Sequence, residues 1–343
     1  MRSDSLIHEI WPEFRPTSLV ELPTLAQFTN VAQVFIKCEG ERPLGNFKVL
    51  GGMTAAIRAL SRATDAPTSA LLSRSRDNQK LRLICASDGN HGLAVAAAAA
   101  RCGSRASIFL PRRVNRVRLR RIESQGAQVV LIDGTYDDAV DAAAEAALRG
   151  EGILIADTGE RGDDVVVQEV MAGYAVLARE LECQFQQLGT APSHAFIQAG
   201  VGGLAAAVAD GFVHRMREPR KLLIVEPKSA ACVDAALNAG QLVRLRGTLD
   251  TSAAMLSCGL ASAIALSVLR RHPVGTVIAD EPELRSAPRL LEEFRGPRTT
   301  PSGAAGLAGF LKAAHSSELR DAHGLQADSS VLLLITEGPL TQR

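Results

Sequence analysis

Leu81-Arg-Leu-Ile-Cys-Ala86-Ser87-Asp88-Gly89-Asn90-His91-Gly92-Leu93-Ala-Val-Ala-Ala-Ala-Ala-Ala100 carries the pattern by which the rest of the chain can be read. A short apolar run predicts a strand over 81–86, a polar glycine-containing turn follows, and an alanine-rich stretch predicts a helix over about 93–101. The same grammar recurs. Arg105–Leu110 predicts a strand closed by Pro111 and followed by a helix ending near Gly126. Strands over Gln128–Ile132 and Ile153–Ala156 come next, each followed by a helix, over about Asp137–Arg149 and Val165–Glu182. Ser193–Ala199, Lys221–Glu226 and Ser330–Ile335 complete the strands, with a helix from Leu204 to about His214. Strands alternating with helices imply mostly parallel sheets under helical covers, an α/β fold. Residues 282–301, rich in Pro and Arg, read as a surface excursion.

Bulk properties narrow the class. A chain of 343 residues can bury a sizeable core and has room for two lobes. Its 46% hydrophobic and 22% charged content is ordinary for a globular protein. A formal net charge of +1 leaves no global field to recruit nucleic acid or a membrane surface. The start, Met1-Arg-Ser-Asp-Ser-Leu-Ile-His-Glu9, lacks the apolar core of a signal peptide. The longest apolar run, Leu93–Ala100, is far short of the roughly 20 residues of a membrane span. A soluble cytoplasmic protein with neither a membrane nor a nucleic-acid partner is expected. The six cysteines, at positions 38, 85, 102, 183, 232 and 258, form no C-x-x-C pair, so neither a disulfide framework nor a metal site is expected. Arg112, Arg113, Arg116, Arg118, Arg120 and Arg121 have no interleaved aromatics and read as a solvated helix face.

Lysine is scarce, at six of 38 basic residues. Lys48 lies in Gly45-Asn-Phe-Lys48-Val-Leu-Gly-Gly52, just ahead of a helix-like run from Met53 to Leu60. Arginine can fill most surface roles but cannot form an imine; a lysine can, and among apolar neighbours it gives up its proton more easily. A snorkelling lysine at a helix start is the plainer alternative. Ser87–Gly92 also admits two readings. It is either a turn in which Asp88 or Asn90 caps a helix, or a polar loop at the carboxyl edge of a parallel strand, where α/β proteins bind ligands. Gln198-Ala-Gly-Val-Gly-Gly-Leu204, again between strand and helix, is a phosphate cradle by its physics: glycines let backbone N–H groups close around an anion, and the helix N-terminus adds favourable partial charge. It matches neither G-x-G-x-x-G nor a P-loop. An imine-forming lysine together with a phosphate cradle points to one cofactor that is both aldehyde and phosphate monoester, pyridoxal phosphate.

Taken in order, Asn46-Phe47-Lys48, Ser87–Gly92, Gly200-Val201-Gly202-Gly203 and Thr336-Glu337-Gly338 resemble the motifs of the tryptophan-synthase-β, or fold type II, pyridoxal-phosphate enzymes. Within that superfamily the chain most resembles the diaminopropionate ammonia-lyases, through Tyr136-Asp137-Asp138, Ala156-Asp157-Thr158, Val225-Glu226-Pro227 and Ser302-Gly303-Ala304. The resemblance implies two three-layer α/β/α lobes with the cofactor in the cleft between them. Residues 1–55 and 165–343 would form a large cofactor-binding domain, and 56–164 a small one.

Further roles follow from the resemblance. Lys48 would carry the cofactor as an imine, Asn90 would hydrogen-bond its phenolic oxygen, and Gly200, Val201, Gly202 and Gly203 would bind its phosphate. Thr336 would face the pyridine nitrogen, where a neutral hydroxyl disfavours ring protonation. Asp88 and Asp157 would act as bases on opposite faces of the substrate α-carbon. The implied activity is elimination from 2,3-diaminopropionate, or a similar β-substituted amino acid, to pyruvate and ammonia, in a homodimer. A serine/threonine dehydratase, a β-replacement synthase and a non-catalytic cofactor-binding homologue are the other readings. Around the substrate the chain departs from the lyase pattern. Gly159-Glu160 stand where the family has Ala-Trp, Leu260-Ala261-Ser262 where it has Glu-Pro-Asn, and Pro301 and Pro339 where it has acidic residues.

Overall fold

The computed structural model describes residues 3–73 and 80–340, so Met1 and Arg2 of the amino-terminal stretch lie outside the described residues. Contacts divide the chain into two compact units: Met1–Arg15, Lys48–Val176 and Leu340–Arg343 in one, Pro16–Phe47 and Leu177–Pro339 in the other. The divisions fall at 15/16, 47/48, 176/177 and 339/340. The described strands are β1 (Leu19–Glu21), β2 (Gln33–Cys38), β3 (Arg82–Ala86), β4 (Arg105–Pro111), β5 (Gln128–Ile132), β6 (Ile153–Leu154), β7 (His194–Gln198), β8 (Lys221–Pro227), β9 (Val274–Ala279) and β10 (Ser330–Ile335). The fold is α/β with mostly parallel sheets. Among the described residues no helix is long and apolar enough to cross a membrane.

In the first unit the sheet runs β5-β4-β3-β6, with every pairing parallel. The helix Asn90–Arg101 follows β3 and is buried from Asn90 to Ala99. It packs against β3 and β4 and also against the helix Lys48–Thr64. A helix covered on both sides is apolar all round, and small alanines let both neighbours come close. The helix Tyr136–Leu148 starts from a capping box, with Thr135 and Asp138 each accepting the other's backbone N–H.

In the second unit the order is β1-β2-β10-β7-β8-β9, parallel throughout except for β1 against β2. Ile36, Phe196, Leu223, Leu307, Phe310 and Leu333 belong to its core. Two expectations need correction. Residues 282–301 are not simply a surface excursion, because Glu281–Glu293 is a helix that buries Leu284, Ala287 and Leu291. Those three share one helical face, and the Asp280–Glu283 capping box starts the helix despite its internal Pro288. The arginine run is not uniformly solvated either: Arg118 is 5% exposed.

Candidate active site

Lys48 opens the helix Lys48–Thr64. Its Nζ lies 2.5 Å from Asp157 Oδ2 and 5.8 Å from the centroid of the buried Tyr174 ring. Tyr136 donates its hydroxyl to Asp157 Oδ1 at 2.9 Å. His91 Nε2 lies 2.8 Å from the Ile155 carbonyl oxygen. A carbonyl can only accept, so Nε2 carries the proton and Nδ1, 3.9 Å from Asp157 Oδ2, is bare. Burial favours that neutral ring by lowering its pKa. Burial disfavours both charges of the Lys48–Asp157 pair, but their attraction prevails. It holds the ammonium above its ordinary range and the carboxyl below its own.

The loop before Asn90 is tied by Ser87, whose Oγ accepts from the N–H groups of Gly89 and Gly92, each at 2.8 Å. Gly89, with φ at +144°, is the residue that precedes the helix, and the Ser87 hydroxyl caps the first turn by accepting from Gly92 N–H. The cap expected by the plainer reading is thus present, supplied by Ser87. A Cβ at position 89 would stand 2.7 Å from Arg118 Cδ. Asp88 is half-buried, and burial pushes its carboxyl up to about 8 against the pull of Arg118 and Arg113. One aspartate of this unit is thus fixed as a carboxylate, and the other sits near neutrality. Such divergence is common where acids and bases work.

In the second unit, Gly200–Gly203 joins β7 to the helix Gly203–Phe212. Gly202 has φ at +91°, in the left-handed region, and a Cβ there would press on Val233 and Ala265 at 3.2 and 3.3 Å. A Cβ at Gly200 would stand 3.0 Å from Cys258 Sγ. The N–H groups of the first helical turn have no acceptor within the helix and suit an anion. Thr336 follows β10, and its Oγ accepts from Gln198 Nε2 at 3.1 Å. The same nitrogen faces the carbonyl oxygens of Ser302, Gly303 and Leu334 at 3.1, 2.9 and 3.1 Å. Four acceptors around one nitrogen fix the amide's orientation, which leaves the Thr336 hydroxyl its own proton to give.

A family model described as "Pyridoxal-phosphate dependent enzyme" matches residues 10–337. The chain belongs to that family. Diaminopropionate ammonia-lyase of Escherichia coli K12 is 31% identical to it over 345 residues, covering 96% of this chain and 86% of the relative. A human protein named serine dehydratase-like is 28% identical over 280 residues, 81% of this chain and 77% of the relative. The E. coli lyase, solved in complex with an aminoacrylate-PLP azomethine reaction intermediate, superposes with a TM-score of 0.86 at 28% identity. That match covers 98% of this chain and 88% of the other. The family's cofactor suits what each unit holds by itself: a half-buried amine in the first, and in the second a glycine turn whose backbone N–H groups open a helix.

Sequence reasoning gave no role to His91, Tyr136, Tyr174, Arg118 or Gln198. His91 and Tyr136 stood inside motifs that had been singled out, and Gln198 directly precedes the glycine loop. Arg118 and Tyr174 carried no local signal.

Proposed function

We propose that the chain is a pyridoxal-phosphate-dependent ammonia-lyase that acts on 2,3-diaminopropionate or a similar β-substituted amino acid, releasing pyruvate and ammonia. Identity of 31% across 96% of the chain supports the reading. The observation that carries it is the pair of unlike aspartates, Asp157 against the Lys48 amine and Asp88 held near neutrality. Bound pyridoxal phosphate supplies an aldehyde for amines and a ring that draws electron density from the substrate α-carbon. Lys48 would hold its aldehyde carbon, Asn90 its phenolic oxygen, and Gly200, Val201, Gly202 and Gly203 its phosphate. Thr336 would donate to its pyridine nitrogen.

Lys48 must shed a proton to act as an amine, and the Asp157 carboxylate at 2.5 Å, which favours the ammonium, holds the side chain in place until that proton leaves. Tyr136 favours the Asp157 carboxylate by donating to its other oxygen. Asp88 and Asp157 serve as alternative bases for the α-proton, one for each enantiomer. A carboxyl that titrates near 8 also suits proton return to the departing amine. The reading extends to a homodimer, on the family resemblance, and to the cytoplasm, on composition and the shortness of the longest apolar run.

A serine/threonine dehydratase is the second reading, favoured by Gly159-Glu160 in place of the lyase's Ala-Trp. The test measures keto-acid and ammonia release from each enantiomer of 2,3-diaminopropionate, serine and threonine. The proposal expects kcat/KM to be highest on 2,3-diaminopropionate. A higher value on serine or threonine gives the dehydratase reading the chain.

A further inference from the structure

Arg118 stands apart from its neighbours. Arg112, Arg113, Arg116 and Arg120 are exposed and Arg121 is half-buried, whereas Arg118 keeps 5% of its surface. Taking a cation out of water costs several kcal/mol unless something specific compensates. Its stem lies along Gly89, where a Cβ would come within 2.7 Å of Arg118 Cδ and 3.2 Å of its Cβ. Its Nη1 donates to Asn90 Oδ1 at 3.1 Å.

That bond fixes a polarity. A guanidinium has donors and no acceptor, so the Asn90 atom facing it must be the oxygen. The amide NH2 is thereby turned away from Arg118, and the other side of Asn90 presents a donor. A phenolic oxygen that carries negative charge needs a donor there. Asp88 directly precedes Gly89 and Asn90, the two residues that Arg118 touches, and although burial pushes its carboxyl up, Arg118 and Arg113 favour the carboxylate while Asp157 and Asp137 oppose it.

We propose that Arg118 is a positioning residue of this site, which fixes the Asn90 amide with its NH2 outward and places a cation on the loop that carries Asp88. The proposal deepens, and rests on, the roles given above to Asn90 and Asp88. It also accounts for the use of arginine, because a lysine keeps the charge but lacks the rigid planar fork.

The test compares three holoenzyme variants labelled with 13C at the aspartate carboxyl; the Asp88 resonance is the one lost in Asp88→Asn. Arg118→Met keeps the stem and removes the charge. Arg118→Lys keeps the charge without the fork, and Arg118→Gln keeps a donor without the charge. In Arg118→Met and Arg118→Gln the Asp88 titration should rise by on the order of one unit, and in Arg118→Lys it should stay close to the wild type. Cofactor affinity should fall in Arg118→Met and Arg118→Lys, with a shifted visible band, and be largely kept in Arg118→Gln. A purely structural role weakens all three variants without sorting them by charge and donor. An unmoved Asp88 titration in either folded uncharged variant overturns the proposal, as does an unchanged cofactor spectrum in Arg118→Lys. If the titration and spectra sort as expected but turnover of neither enantiomer follows the Asp88 titration, Arg118 keeps its role. The assignment of Asp88 as base then fails.

Discussion

Lys37 in β2 and Lys48 at the start of the helix Lys48–Thr64 are both drawn away from water, yet they are provided for in opposite ways. Lys37 Nζ donates to the Thr17 carbonyl at 2.8 Å, to Glu180 at 2.7 Å and to Gln184 at 2.9 Å, which uses all three of its protons. Arg42 joins Glu180 to Glu39 beside it, and the Lys37 side chain is 0% exposed. Lys48 keeps 19% of its side chain accessible and meets Asp157 at 2.5 Å. Burial lowers the pKa of Lys37 in spite of its carboxylates, whereas Asp157 raises that of Lys48 in spite of its burial. The expectation that its surroundings would loosen the Lys48 proton is therefore corrected: it is Lys37 whose proton burial loosens. A lowered pKa does not by itself make a lysine reactive. Lys37 is sealed and saturated, while Lys48 keeps an opening and a base beside it.

The largest effect should come from exchanging the two lysines' fates. Lys48→Ala is expected to abolish turnover and the visible band of bound cofactor. Lys37→Met is expected to keep both and to lose stability instead, by about 3–5 kcal/mol, because Glu180 and Glu39 are left with too little positive charge. Denaturant melts and absorption spectra of the two variants check this. A folded Lys37→Met without the band, or a Lys48→Ala that retains it, breaks the contrast.

Next in size are the aspartates, which decide what the opening beside Lys48 is for. Asp88→Asn should lower turnover of the D-substrate and Asp157→Asn that of the L-substrate, each by on the order of 10²–10⁴. Steady-state rates on the separate enantiomers read this directly. Should both variants keep wild-type rates on every enantiomer, Lys48 itself becomes the base.

A smaller effect is expected in the second unit. Gly202→Val forces a branched side chain into a left-handed backbone at φ +91° and into Val233 and Ala265. It should weaken pyridoxal-phosphate binding at least about tenfold through lost hydrogen bonds to a charged group. Equilibrium titration of the cofactor, beside a thermal melt, separates that loss from unfolding. Unchanged affinity in a folded variant removes the cradle from the account.

The alternation of strand and helix was readable along most of the chain because buried parallel strands are short apolar runs bounded by turns. β2 escaped because Lys37 interrupts its apolar run, and its neutralising partner Glu180 lies 143 residues away. β1 and β9 are edge strands, partly exposed, with weaker apolar patterns. Lys48, Asp88 and the glycine loop stood out because their chemistry or conformation needs those residue types. The pairing of Lys48 with Asp157 spans 109 residues and is a product of the fold, which no local spacing encodes. Arg118 sits among arginines of the same composition, and only burial separates it from them.

The contrast between the lysines is tested most directly by trapping. Borohydride reduction of the holoenzyme, followed by proteolysis and mass spectrometry, locates the lysine that carries pyridoxal phosphate. The account predicts one phosphopyridoxyl adduct, on Lys48, with Lys37 unmodified. An adduct on Lys37 or any other lysine, or no adduct in an enzyme that turns over substrate, contradicts it.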